Sequence, residues 1–436
     1  MNQQIKQRIE QINNGQVPTG YKETEFGIFP CDWVTDKTFG DLFSFNGGLG
    51  KSREELSENG IEYLHYGDMH RSDFNIASLE QYSKLPKYDT KIKGGESFLM
   101  QDGDVAFLDA SEDLEGTSRS VLIDNPENKP FIAGLHIIYG RPRGKELSKY
   151  YKQYLTRPEY IKKQFKKLAS GFKVYGLNRN TITGIKCAYP KFTAEQEKIA
   201  EILMKWDKAI ELQEKYIEKA NQQRIFLLKK VFEPKQNWSY QTLGDNVDLL
   251  ASGGTPSTKI LKYFDGNIVW VSINDISQSG KYISKSNRTL SLEGLQNSSA
   301  KLFPKGTILY AMYASIGKCA IANIDCATSQ AIIGIVPSKN SFDNQYLYYY
   351  LCSIQERIST QGQQGTQANL NKGLVESFKI PTPMKDGKID IDEQKQISKI
   401  LFAIDNTITL NTKKLEIIKQ QRKVLQQYLL NGIVRV

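Results

Sequence analysis

Apolar residues recur at alternating steps of four and three over two stretches of this chain, with polar residues filling the steps between. The first stretch, 193–232, sets Ile199, Leu203, Trp206, Ile210, Gln213, Ile217, Ala220, Arg224, Leu227 and Val231 on one seam. That is the period of a helix that pairs lengthwise with another. The second, 391–430, does the same with Ile397, Leu401, Ile404, Ile408, Asn411, Leu415, Ile418, Arg422, Leu425 and Leu429. The stretches are gapless copies: Glu195-Gln196 returns as Glu393-Gln394, and Gln222-Gln223-Arg224 as Gln420-Gln421-Arg422. A helix of about 38 residues is roughly 57 Å long, too long for a small domain to wrap. The other copy is the obvious partner. A parallel in-register pair would set Arg224 against Arg422 inside the seam, whereas an antiparallel pair separates the two cations. The alternative, a seam that only dimerises the chain, ignores the similar landmarks that precede each copy.

Those landmarks follow one order. Each opens on a tryptophan, Trp33 and Trp238, then Thr38-Phe39-Gly40-Asp41 and Thr242-Leu243-Gly244-Asp245. A glycine pair follows, Gly47-Gly48 and Gly253-Gly254. Next come β-like runs with an acidic stop, Tyr63 to Asp68 and Trp270 to Asp275. Both close on Leu-Asn, Leu177-Asn178 and Leu370-Asn371, then Ile185-Lys186 and Phe378-Lys379 before a proline and the long helix. Short β-rich segments, 104–108, 131–139, 307–311 and 331–336, alternate with turns, and helical segments follow at 146–168 and 344–358. The fold class read here is α+β: an N-terminal segment 1–19, two similar domains 20–192 and 233–390, and two long helices, 193–232 and 391 onward, forming an antiparallel coiled coil. Asn14-Gly15-Gln16-Val17 echoes Asn431-Gly432-Ile433-Val434, which places the N-terminal segment beside the second long helix, closing a pseudo-twofold repeat.

Composition narrows the class of partner. With 436 residues the chain holds two or three domains, no apolar run approaches the ~18 residues of a membrane span, and 1–20 is polar, unlike a signal peptide. Five scattered cysteines fit a reducing cytoplasm better than a disulfide scaffold. The net charge of +10 is unevenly spread: 21–140 has 11 Lys and Arg against 22 Asp and Glu, whereas 141–191 has 14 against 2. This predicts an electropositive face on the first domain, with phosphate backbone as its natural partner.

The opening Gly20-Tyr21-Lys22-Glu23-Thr24-Glu25-Phe26-Gly27, the Pro30-x-Asp32-Trp33 that follows, the turn Gly253-Gly254-Thr255-Pro256-Ser257 and the Glu-Gln start of both helices resemble the specificity subunit of type I restriction-modification systems, over essentially the whole chain. The resemblance implies two target-recognition domains, each reading half of a bipartite site in double-stranded DNA. It also implies two docked modification subunits that carry S-adenosylmethionine and methylate adenine, and restriction subunits that add ATP- and magnesium-dependent translocation and cleavage, with no cofactor on this chain. One departure is the second domain's lead-in: only Glu233 to Asn237 precede Trp238. The alternatives are the recognition subunit of a related system whose partner fuses methylation and cleavage, a self-sufficient DNA-acting enzyme, and a coiled-coil scaffold without DNA.

The motifs favour a reader over a catalyst. Gly50-Lys51-Ser52 ends like a phosphate-binding loop, but Phe45 stands where the first glycine is needed. His65, His70 and His136 lack metal-ligand spacing with the cysteines and read as ordinary surface histidines, while Asp102, Asp104 and Asp109 read as a strand-and-turn cluster. No Asn-Pro-Pro-aromatic methylation motif occurs. In 171–180 flexible glycines alternate with Lys173, Tyr175, Asn178 and Arg179, and its counterpart carries Gln364, Gln367 and Asn369. Arg and Lys can take guanine O6 and N7, and Asn adenine N6 and N7, so both segments suit base reading, with a structural loop as the alternative. Thr255, Ser257 and Lys259 are further candidates. Lys162, Lys163, Lys166 and Lys167 share one side of a helix and, with Arg141, Arg143 and Lys173, suggest a phosphate track.

Overall fold

The structure, a computed structural model, describes residues 3–71, 76–78, 85–89, 95–171, 174–363 and 370–436. The chain divides into two compact units, 1–212 with 415–436, and 213–414. The long helices Thr193–Val231 and Ile391–Leu430 each give one part to each unit. A division of the chain at 193 and 391 cuts it differently, because it keeps each long helix whole.

In the first unit a five-stranded sheet runs in the order Phe43–Gly47, Ile137–Pro142, Val105–Leu108, Ser120–Asp124, Ile76–Ser78. Only its last pair is parallel. One apolar cluster joins Phe43, Phe107, Phe165, Ile199, Leu203 and Leu429; another joins Met100, Ala106, Leu108, Val121 and Phe131. With both faces of the sheet covered, Val105–Leu108 is buried at every position, so it reads as a continuous apolar run instead of alternating. The second unit repeats the order with Val247–Ser252, Ile332–Pro337, Ile308–Ala311, Cys319–Ala322 and Tyr282–Ile283, and again only the last pair is parallel.

The shared landmarks prove to be caps and close approaches. Asp68 and Asp275 accept the N–H groups of His65 and Ser272, at 3.3 and 2.8 Å, at the starts of short helices. Asn178 and Asn371 cap two more, accepting from the Thr181 and Leu374 N–H groups at 2.9 Å, a contact worth about 1 kcal/mol. The glycine pair aligns one residue off the sequence reading. Gly48 and Gly253 make the same bond, N–H to the carbonyls of Ile137 and Ile332, and a Cβ on either would lie 1.9 Å from Gly134 O or 2.1 Å from Thr328 Oγ1. Gly48 thus matches Gly253, and Leu49 matches Gly254.

Two elements differ from the pattern-based expectation. The helix expected over 146–168 is a 3-10 turn, Tyr150–Tyr154, and a helix, Glu159–Leu168. Pro158 lacks the N–H that would continue the first and disfavours helical backbone at Arg157. The strand expected over 131–139 is two, Phe131–Ala133 and Ile137–Pro142, in different sheets. Between them His136 has φ 60°, which ends any strand.

Within each unit the long helices run antiparallel. In the first, Asp207 receives Arg422 Nε at 2.8 Å and the Tyr154 hydroxyl at 3.1 Å. In the second, the repeat-related Asp405 receives Arg224 and, at 2.8 Å, the Tyr349 hydroxyl. The seam arginines are thus held apart, each on an aspartate of the other helix. Gln213 Nε2 donates to Asn411 Oδ1 at 2.8 Å, so the two copies of one polar position meet. The Glu-Gln motif is a clamp: buried Gln196 donates to Glu146 O and Pro190 O and accepts from the Ser148 N–H. Gln394 likewise joins Ser341 O and the Asp343 N–H.

The N-terminal helix Gln3–Asn13 packs beside the second long helix, with Arg8 donating to Ile433 O and Tyr21 to Gly432 O. The Asn-Gly echo is a shared helix ending, Gly15 at φ 72° and Gly432 at φ 67°, backbone that glycine adopts without strain. No helix among the described residues is long and apolar enough to cross a membrane.

Candidate nucleic-acid interface

Several loops of the first unit gather at one end of its five-stranded sheet. The loop after Gly47, the turn 134–136 and the segment after Leu108 all leave strands at that end, because Gly47 pairs with Ile138 and Leu108 with Ile137. The Tyr63 hydroxyl ties two of them, accepting from the Lys51 and Leu135 N–H groups at 3.1 and 2.6 Å. Leu177 N–H donates to Asp109 O at 2.7 Å and Tyr175 pairs with Ser111, which brings the 175–179 segment to the same place. The second unit builds the same end with other side chains. Trp270 Nε1 donates to Gly254 O at 3.0 Å, Thr255 bonds Gln330, and Leu370 N–H donates to Met312 O.

The structure sorts the residues singled out by sequence. Arg179 is exposed and has no hydrogen-bond or ion-pair partner among the described residues; Ser257 and Lys259 are exposed, and Tyr175 and Thr255 are half-buried. Asn178 is different, since its side-chain oxygen is committed to the Thr181 N–H. That bond starts the helix Arg179–Thr183 and takes one of the oxygen's two acceptor positions. Lys173, Gln364, Gln367 and Asn369 lie outside the described residues.

The electropositive face is smaller than the count over 141–191 predicts. Arg141 pairs with buried Asp104 at 3.0 Å and donates to Leu99 O, while Arg143 donates to Gly40 O and Phe43 O. Lys149 bridges Asp102 and Asp124. Lys152 is buried, donates to Gly103 O, and is pulled down to about 8 by that burial. Arg141 and Arg143 are thus fold-holding cations rather than part of a phosphate track. On the helix Glu159–Leu168, Lys162 pairs with Glu159 and Lys166 with Glu115, leaving Lys163 and Lys167 exposed. Lys51 is likewise engaged: its bond to Glu55, with those from Ser52, holds the Glu55 carboxyl down at about 2. No described group of three His, Cys, Asp or Glu side chains is placed to hold a metal.

Sequence reasoning missed the convergence of the three histidines on Tyr66. The Tyr66 ring lies 4.4 Å from His65, 6.2 Å from His70 and 5.2 Å from His136, centroid to centroid. The Nδ1–H of His136 donates to Asp109 Oδ1 at 2.9 Å. Burial, then nearby Arg53, pushes the His65 pKa down, and His70 Nε2 is buried without a hydrogen-bond partner. No spacing rule finds this group, because its members lie far apart in the chain.

Exposed Arg179 and exposed Lys163 should fail differently if this end meets DNA. Arg179→Ala is expected to cost about 1 to 3 kcal/mol on one sequence and to relax preference at one position. Lys163→Ala should weaken all sequences alike and lower the salt slope by about one. Binding of the assembled complex to cognate and single-mismatch duplexes at several salt concentrations separates the two; the reverse pattern would exchange their roles.

Comparison with known proteins gives a consistent result. The family described as type I restriction modification DNA specificity domain matches residues 30–222 and again 235–420. The chain is 24% identical over 435 residues to the putative type I restriction enzyme MjaX specificity subunit of Methanocaldococcus jannaschii, covering 95% of this chain and 97% of that protein. It is 30% identical over 188 residues to the MjaIX specificity subunit of the same organism, 42% of each chain. Among solved structures it resembles the S subunit of a type I restriction-modification system from M. genitalium, with TM-score 0.55, 16% identity, and 91% of this chain and 96% of that one covered. A chain from a study of complex assembly and conformational transition of the type I system matches with TM-score 0.60 and 15% identity, covering 96% and 100%. At these identities the structural likeness is one of fold.

Proposed function

The chain belongs to the type I restriction-modification DNA specificity family, and from that premise we propose that it reads a bipartite DNA site, one half with each unit, on behalf of partner subunits that carry the chemistry. The observation that supports this most is a repeated frame with unrepeated side chains. The two units share strand order, caps and loop-anchoring backbone bonds, yet the side chains at the loop ends differ, as two readers of different sequences require. Phosphate contacts would hold the units on the duplex, and base contacts would specify.

Two modification subunits would dock on the long helices. Each long helix exposes apolar side chains off its seam, Leu212, Tyr216 and Phe226 on the first and Leu410, Ile417 and Val424 on the second. Leu212 repeats as Leu410 and Phe226 as Val424, whereas Tyr216 returns as Lys414 and Ile417 stands where the first copy has Lys219. Exposed apolar side chains on a helix suit docking of a partner. In this reading S-adenosylmethionine, ATP and magnesium belong to the partners. Methylome sequencing of a host with and without the gene should show one two-part methylated motif that depends on it, and native mass spectrometry two modification subunits per chain. A methylome without a gene-dependent motif contradicts the reading.

A further inference from the structure

The histidine cluster of the first unit has no equivalent in the second, although the backbone beneath it is the same. Asp109 N–H donates to His136 O at 3.1 Å, and Met312 N–H donates to Ala331 O at 2.9 Å. Leu177 and Leu370 close the two arrangements on the carbonyls of Asp109 and Met312. Asp109 and His136 therefore correspond to Met312 and Ala331. Tyr66 and His70 correspond to Ile273 and Ser277, since Asp68 and Asp275 cap the same helix. Main-chain atoms make the shared bonds at Asp109 and Met312 and at His136 and Ala331, so these bonds stay while the side chains differ.

What the first unit puts there is polar and reachable. The His136 and Asp109 side chains are 43% and 33% exposed. The carboxylate can only accept, so it fixes a hydrogen of His136 on Nδ1. Asp109 Oδ2 has no hydrogen-bond partner among the described residues. His136 is held at φ 60°, a conformation costly for most side chains and tolerated best by Asn, Asp and His. A carboxylate facing a polyanion is unfavourable unless a donor meets it.

We propose that Asp109 and His136 read an amino-bearing base, adenine or cytosine, in the major groove of the half-site bound by the first unit. Asp109 Oδ2, with its carboxylate held by His136, can accept the one N6 hydrogen of adenine or N4 hydrogen of cytosine that base pairing leaves in the major groove, whereas the keto oxygen of thymine or guanine would face a carboxylate. Tyr66 backs the imidazole ring edge-on. This rests on the reading of the chain as a bipartite DNA reader and adds which side chains choose a base.

The test is the methylated motif written by the complex with Asp109→Asn, which keeps shape and adds an amide donor. One position that is adenine or cytosine in the parent motif should then accept keto bases, its amino-over-keto preference falling about tenfold, while the other half-site and the gap stay unchanged. His136→Asn, which tolerates the same backbone, should relax the same position and serves if the first variant fails to assemble. Parent-like motifs from both variants, or equal loss at every position, would overturn the proposal. A parent complex that writes no two-part motif would instead overturn the reading beneath it.

Discussion

Asp207→Ala is expected to destabilise the first unit by about 3 to 5 kcal/mol, the usual cost of stranding a buried charge. Asp207 takes Nε and Nη2 of Arg422 at 2.8 and 3.1 Å as well as the Tyr154 hydroxyl. One turn from Tyr154, the buried Arg157 is already drawn down to about 10, by burial first and then by Arg422 and Arg119. Removing the aspartate leaves two arginines facing each other without their shared anion. The repeat supplies the control. Asp405→Ala strands Arg224 and also removes the nearest counter-charge of Lys281, but both cations line an open groove of about 400 Å³ that admits water. Its cost should be nearer the roughly 1 to 3 kcal/mol of one unmet charged hydrogen bond. Native-state hydrogen exchange resolves the two units separately; equal losses would mean that access to water does not soften the cost at Asp405.

Lengthening both long helices by one heptad, at 212–213 and 414–415, should widen the gap of the methylated motif by about three base pairs while leaving both half-sites as they are. Seven residues add roughly 10 Å of helix, and base pairs rise 3.4 Å each. A heptad keeps the seam in phase, so Arg224 and Asp405, and Asp207 and Arg422, stay paired inside their own units. Four residues instead would put the seam out of phase at the insertion points. A heptad variant that methylates with the parent gap would show that the helices do not set the spacing.

Much of the frame was legible because it is periodic. The seam fixed two long helices, and Arg224 and Arg422 fixed their antiparallel sense, since the low-dielectric seam rejects like charges. The paired landmarks fixed a duplication, and Glu-Gln marked both helix starts although its use as a clamp was invisible. Where local chemistry overrode pattern, sequence reading slipped: Pro158 split a helix, His136 split a strand, and the glycine pair sat one residue out of register.

The site was far less legible. The charge excess of 141–191 was plain, but whether Arg141 faces solvent or Asp104 depends on a strand crossing that no window of sequence contains. The composition of 171–180 suggested reading, but that Asn178 caps the start of a helix was invisible, and Asp109, His136 and Tyr66 met only because three loops leave one end of a sheet. Sequence by itself determined what repeats along the chain, because helix periodicity and charge repulsion act over near neighbours. Tertiary structure alone decided which polar groups are spent on each other and which remain for a partner, because hydrogen bonding and burial depend on what folding brings within 3 Å.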